Sequence, residues 1–337
     1  MFARDLGIDL GTASVLVYVQ GKGVTIREPS VVALNAETRA VLSVGEDARE
    51  MIGRTPGNIV AIRPLKDGVI ADYEATATML RHFIEKVCGR RRVFKPQVVV
   101  CVPSGVTSVE KRAVLEACLE AGARRVYLIS EPMAAAIGAG LNISDPGGNM
   151  VLDVGGGTAD IAVISLGGEV VGDSVRMGGD RFDEAIVRYV RREYNLIIGE
   201  RTAEQTKIEL GNVYQPNPEL RMQIRGRDAV TGLPRTIEID QEQVAAALEE
   251  PARAIVQAVR AVLERTPPEL SADIMDKGIV LTGGGSLLGG FAEMLRNETG
   301  IPAYLADDPV SCVALGTGKV LEGMDKLKSS VILSAHT

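Results

Sequence analysis

Short apolar runs separated by glycine turns fill the N-terminal stretch: LGIDLG, SVLVYV, then Gly21–Gly23, VTI and SVVAL. Alternation of this kind, bounded by glycine, predicts a β-meander. In EATATMLRHFIEKVC (74–88), Met79, Leu80, Phe83, Ile84 and Val87 recur at three- and four-residue spacing. That period predicts an amphipathic helix, stopped by Gly89. VVVCVP (98–103) reads as a buried strand ending at proline. Thr107-Ser-Val-Glu110 is a capping box opening a helix through Ala121, with Gly122 at its end. VYLI (126–129) predicts the next strand, and EPMAAAIGAGL (131–141) a helix started by proline.

The pattern then restarts. NMVLDVGGGTADIAVISLGGEVV (149–171) again gives strand, Asp-Gly turn, strand, Gly turn and strand. Asp9-Leu-Gly11-Thr12 and Asp153-Val-Gly155-Gly156 hold the same place in their units, which points to duplication. Helices are predicted at 180–193, from the capping box Thr202-Ala-Glu-Gln205 to Asn212, and at 241–265. A charged β segment covers 219–240. Strand IVLT (279–282) leads into Gly283-Gly-Gly285-Ser286 and a helix through Asn297. A small Gly-rich helix, ALGTGKVLEGM, follows. The expectation is two large α/β domains, each with a smaller insertion.

Composition narrows the partners. The 337 residues carry a net charge of −7, a poor basis for a dedicated nucleic-acid binder, so no nucleic-acid partner is expected. Cys88, Cys101, Cys118 and Cys312 are scattered and only two histidines are present, so metal-ligand spacing is absent. No apolar run reaches transmembrane length, and MFARDLG offers no signal-peptide core. A cytoplasmic location is expected.

A glycine turn after a strand lets backbone N–H groups approach phosphate with no Cβ in the way. Gly11-Thr12-Ala13-Ser14 and Gly155-Gly156-Gly157-Thr158 are two such turns, each preceded by a strand-end aspartate. One alone would be an ordinary hairpin corner. Acidic side chains beside a polyphosphate call for a cation between them, so Asp9 and Asp153 read as Mg²⁺-site residues acting through water. The plainer alternative is that they cap turns. No GxxxxGK[ST] or GxGxxG fingerprint is present.

GIDLGTAS (7–14), EPMAAAIGAG (131–140), LDVGGGTADIAVISL (152–166), GERTAEQTKIELG (199–211) and IVLTGGGSLLGGF (279–291) resemble the nucleotide-site motifs of the actin, chaperone-ATPase and sugar-kinase superfamily. With RTPGNIVAIRPLKDGVIADYE (54–74) and RTPPELSADIMDKGI (265–279), they are similar more narrowly to the bacterial actins MreB and Mbl, from MFARDLG to about Lys328. The resemblance implies an actin-like ATPase fold of two duplicated ribonuclease H-like domains with the nucleotide between them. Its subdomains would be IA (1–32, 66–145 and 315–337), IB (33–65), IIA (146–181 and 246–314) and IIB (182–245).

The resemblance also implies roles. Thr12, Ala13 and Ser14 would bind the β- and γ-phosphates in the first loop, and Gly156, Gly157 and Thr158 in the second. Glu204 and Lys207, with Gln205 and Thr206 between them, would contact ribose and adenine. Read from spacing alone, Glu204 and Lys207 are a common solvated helix pair. Gly284, Gly285, Ser286 and Leu287 would line the base. Glu131 would polarise the attacking water, with Thr158 positioning it, as suits phosphoryl transfer. ATP is the implied nucleotide, with GTP as the alternative, and Mg²⁺ its cation. Two departures stand out: Ser14 replaces the usual Asn, and Thr158-Ala159-Asp160 replaces Thr-Thr-Glu.

Arg90-Arg91-Arg92-Val93-Phe94-Lys95 sets two apolar tips, Val93 and Phe94, among cations. That composition suits shallow insertion at an anionic leaflet, and Phe2 could join it. A solvated hairpin with Phe94 tucked inward is the alternative. The implied function is a self-assembling, double-filament cytoskeleton at the inner face of the cell membrane. It would work with membrane-bound cell-wall elongation proteins to maintain rod shape. A small-molecule kinase would need a further carboxylate base, and a chaperone ATPase a further substrate domain; neither motif is evident.

Overall fold

The computed structural model describes residues 5–90, 94–323 and 331–336. Strands β1 (Leu6–Leu10), β2 (Ser14–Val19) and β3 (Gly23–Pro29) form the expected antiparallel meander. A small sheet follows, made of β4 (Val32–Asn35), β5 (Val41–Val44) and β6 (Ile59–Ile62), with one-turn helix α1 (Glu46–Arg49) before β6. Val31, Ala33 and Ala48 form its apolar centre. The short hairpin β7 (Leu65–Lys66) and β8 (Val69–Ile70) turns at Asp67–Gly68.

Helix α2 (Tyr73–Cys88) starts where the Asp72 carboxylate accepts the Ala75 N–H at 3.0 Å. It ends at Gly89, whose φ of 82° a side chain would resist. Of its predicted stripe, Met79, Leu80, Phe83 and Ile84 are fully buried and Val87 is half-buried against the same core. β9 (Gln97–Val102), α3 (Ser108–Glu120), β10 (Arg125–Ser130) and α4 (Glu131–Gly138) complete the first half. The Thr107–Glu110 capping box is present on α3.

The meander recurs as β11 (Asn149–Val154), β12 (Ala159–Ser165) and β13 (Gly168–Val175). Then come α5 (Gly179–Tyr194), β14 (Leu196–Ile197), α6 (Glu200–Leu210), β15 (Arg221–Asp228), β16 (Pro234–Asp240) and α7 (Gln241–Arg265). The chain continues through α8 (Pro268–Lys277), β17 (Ile279–Thr282), a 3₁₀ turn (Gly284–Leu287), α9 (Phe291–Thr299), β18 (Ala303–Leu305), α10 (Cys312–Glu322) and β19 (Val331–His336). Two helix starts differ from expectation. α6 begins at Glu200 after Gly199, because an acidic residue already suits the first turn there; the Thr202 carbonyl instead accepts the Thr206 hydroxyl at 2.8 Å. The helix expected straight after Gly283–Ser286 is interrupted by Gly290 at φ 71° and restarts at Phe291.

The large sheets run β19-β10-β9-β1-β2-β3 and β13-β12-β11-β17-β18. In each, the meander's first strand pairs in parallel with the next strand of the same sheet, β9 beside β1 and β17 beside β11. Between the sheets lie α4 and α10. A Cβ on Gly138 would fall 1.8 Å from the Cys312 carbonyl oxygen, and one on Gly316 1.8 Å from that of Ala134. Backbone therefore meets backbone, and Val99, Cys101 and Ile129 of one sheet share a core with Val151, Ala162 and Ile164 of the other. This junction holds the two meander turns face to face.

Candidate active site

A cleft of about 630 Å³ lies between the halves, floored by the two turns. The Gly11 N–H donates to the Ser14 carbonyl at 3.1 Å, and the Gly155 N–H to the Thr158 carbonyl at 2.9 Å. The same bond thus closes both turns, each with its aspartate two residues upstream. The first turn is pinned by Ser30, whose hydroxyl donates to the Gly11 carbonyl at 2.5 Å and whose N–H donates to that of Ala13 at 3.0 Å. The second is tied to the start of α5: Gly179 and Asp180 donate their N–H groups to the carbonyls of Gly155 and Gly156, at 2.9 and 2.8 Å. The turns touch each other, since a Cβ on Gly157 would fall 2.5 Å from Thr12 Oγ1. That same hydroxyl oxygen accepts the Gly68 N–H at 3.0 Å.

Three carboxyls line the cleft floor, those of Asp9, Glu131 and Asp153, and a fourth, Asp160, is fully buried close by. Burial pushes Asp9 up to about 6, and the Cys101 thiol, donating to its Oδ1 at 3.4 Å, holds it back. Burial takes Asp153 to about 7, while the Thr282 hydroxyl donates to it at 2.6 Å. Asp160 stands opposite Asp153 in the β11–β12 register and is lifted by burial to about 6. Its Oδ1 accepts the Ser104 N–H at 2.9 Å, and its buried Oδ2 accepts no hydrogen bond. Glu131 begins α4 and stays partly open to the cleft. Its carboxyl is held well above the usual range by burial first, then by Asp160, Asp153 and Asp9. Like charges this close resist joint ionisation. Among the described residues, no three acidic, His or Cys side chains are placed to hold a metal ion by themselves.

Asp9, Thr12, Ala13, Ser14, Glu131, Asp153, Gly156, Gly157 and Thr158 all line the cleft, as do Glu204, Lys207, Gly284, Gly285 and Leu287. Gln205, Thr206 and Ser286 face elsewhere. A helix turns about 100° per residue, so on α6 the positions Glu204, Lys207 and Ile208 share the cleft face, with Gly211 just past its end. Gln205 donates to Glu209 at 2.8 Å, and Thr206 is buried beneath the helix. The Ser286 hydroxyl is buried and donates to the Gly283 carbonyl at 2.6 Å. Of the two expected membrane tips, Phe94 is 60% exposed. Val93, like Phe2, lies outside the described residues.

Several cleft residues escaped the sequence reading. Lys207 is held by Asp183 at 2.9 Å and by the Gly179 carbonyl at 3.0 Å. Burial pushes Asp183 up to about 6 and Lys207 restrains it. Glu204 is engaged across the cleft by Arg49, at 2.7 Å. Arg27, Arg63 and Asp180 also line the walls. The Gly178-Gly179-Asp180 start of α5 was a readable signal, a second glycine pair before a helix. The arginines carried none.

Comparison with known proteins accords with this geometry. The sequence model for MreB/Mbl protein matches residues 3–329. The chain is 56% identical over 327 residues to the cell shape-determining protein Mbl of Bacillus subtilis (strain 168), covering 97% of this chain and 98% of that one. It is 54% identical over 331 residues to the cell shape-determining protein MreB of Escherichia coli (strain K12), covering 96% and 95%. Crystal structures of MreB5 of Spiroplasma citri, bound to ADP and to AMPPNP, superpose with a TM-score of 0.91 at 40% and 39% identity. They cover 96% and 97% of this chain and 98% of their own. A MamK double helical filament shares the fold at TM-score 0.81 and 23% identity, covering 95% of this chain and 99% of its own. The fold is actin-like, and the chain belongs to the MreB/Mbl family.

Proposed function

We propose that this chain binds ATP with Mg²⁺ in the interdomain cleft, hydrolyses it, and assembles into double filaments at the inner face of the cell membrane. There it organises cell-wall synthesis with membrane-bound elongation proteins and so maintains rod shape. The observation carrying the nucleotide reading is the pair of identically closed turns, brought into contact on a cleft that Glu131 also lines. Relatives named for cell-shape determination, and MreB5 structures holding ADP and AMPPNP, support the cellular and nucleotide parts. The exposed Phe94 supports membrane contact.

In this reading, N–H groups of the two turns, with Thr12, Ala13, Ser14, Gly156, Gly157 and Thr158, hold the β- and γ-phosphates. Asp9 and Asp153 fit a hydrated cation, whose charge would offset both the phosphates and the crowded acids. Ile208 and Leu287, 72% and 54% exposed, also line the cleft and supply apolar faces for adenine. Gly284 and Gly285 leave room for its edge, and Glu204 and Lys207 face the ribose. Glu131, fixed at a helix start by Pro132, orients the attacking water beside Thr158. A raised carboxyl is suited to taking a proton as the reaction proceeds. A Glu131→Ala chain is expected to bind ATP normally and hydrolyse it about 100-fold more slowly. Single-turnover hydrolysis at the wild-type rate would remove Glu131 from this role.

A further inference from the structure

The cleft walls carry four cationic side chains among the described residues: Arg27, Arg49, Arg63 and Lys207. Three are committed. Arg27 donates to the Ser311 hydroxyl at 2.5 Å and lies 3.6 Å from Asp308. Arg49 holds Glu204, and Lys207 holds Asp183 and the Gly179 carbonyl. Arg63 is half-buried, yet among the described residues it makes no hydrogen bond and no ion pair. A guanidinium partly withdrawn from water, with Asp180 near enough to feel its charge but not hydrogen-bonded to it, leaves donors for an occupant to fill.

Its position says which end of an occupant it would meet. Arg63 follows β6 and is anchored by Pro64, whose carbonyl accepts the N–H groups of Ala71 and Asp72 at 2.9 and 3.0 Å. The hairpin that follows docks on both glycine turns. Gly68 donates to Thr12, and a Cβ on Gly157 would fall 3.0 Å from the Asp67 Cα. Arg63 also faces Asp180 and restrains the rise that burial gives its carboxyl. The Asp180 backbone is bonded to Gly156. Both neighbourhoods belong to the floor of the turns.

We propose that Arg63 is a polyphosphate-binding arginine, reaching from the small sheet of the first half to the terminal phosphates of a bound nucleotide. The proposal rests on the nucleotide reading above and adds a residue to it. A guanidinium fork matches phosphate oxygens in pairs, so Arg63 distinguishes di- and triphosphates from shorter ligands. Drawing it onto the phosphates pulls its sheet toward the second half, where Arg49 already grips Glu204.

The test is calorimetric titration of the full chain with ATP, ADP and AMP, each with Mg²⁺. Arg63→Ala is expected to weaken ATP and ADP by about tenfold or more while AMP stays within about twofold. Arg63→Lys keeps the charge without the fork and is expected to fall between; it carries the test if the alanine chain does not fold. AMP binding by a variant itself reports an intact cleft. Equal losses for all three ligands would reduce Arg63 to a packing residue, and no loss for ATP would remove it; either overturns the proposal. A wild-type chain that bound none of the three would instead overturn the nucleotide reading on which it rests.

Discussion

Gly156 and Ala13 meet where the two halves touch: a Cβ on Gly156 would stand 2.6 Å from that of Ala13 and 3.0 Å from its backbone nitrogen. The two phosphate-facing turns are thus a single surface built from both halves. Contact this close makes their spacing sensitive to one methyl group. Gly156→Ala is expected to force the turns apart, costing roughly 1–3 kcal/mol of stability as overpacking and more than about tenfold in ATP affinity. Thermal unfolding and ATP titration check it together. A variant with wild-type affinity would show that the turns do not act as one surface.

A second close approach lies deeper. Gly316 on α10 faces the Ala134 carbonyl on α4, with no room for a Cβ. Both helices belong to the core shared by the two large sheets, so strain here cannot relax into solvent. Gly316→Ala is expected to destabilise the chain by more than about 2 kcal/mol, beyond a typical surface change. A denaturant midpoint within error of wild type would contradict the packing described.

The duplicated meanders and their turns were legible because their signals are local: alternation of period two, a glycine turn and a strand-end aspartate within a few residues. The α2 stripe was legible for the same reason. Family motifs also brought Glu131, Lys207 and Leu287 to the cleft. They did not show that Gln205, Thr206 and Ser286 point away, because a motif marks a segment and helix phase decides a face. Arg49 and Arg63 come from a stretch, 41–72, whose alternation is broken by charged residues and glycines. Their importance depends on which opposing charges are already paired, and that exists only once distant segments are packed.

Phe94 carries the membrane prediction among the described residues. It is 60% exposed just before β9, beside a run of cations in sequence. Phe94→Asp replaces an apolar tip with an anion and is expected to lower sedimentation with anionic liposomes several-fold. Each basic residue left in place still adds on the order of 1 kcal/mol, so residual binding should fall further with salt. Pelleting unchanged by this substitution would assign the contact to another surface.

The crowded acids give the nucleotide-free chain an unusual pH dependence. Burial raises Asp9 and Asp160 to about 6 and Asp153 to about 7, and lifts Glu131 as well. An unfolded chain would release those protons near pH 4. Between these limits the folded chain binds more protons than the unfolded one, so its stability falls as pH rises. The contribution is complete below about pH 4 and lost as pH passes through 6 to 7. Surface acids shifted the other way, Asp72, Glu110 and Asp228, oppose this only at the acidic extreme. The melting temperature without nucleotide is therefore expected to be higher at about pH 5.5 than at about pH 8, by about 2 °C or more. Adding Mg²⁺ and ADP should flatten the difference, because a cation beside the carboxyls favours their ionised forms. A melting temperature that rises from pH 5.5 to 8 without nucleotide would show that these acids do not share the buried environment described.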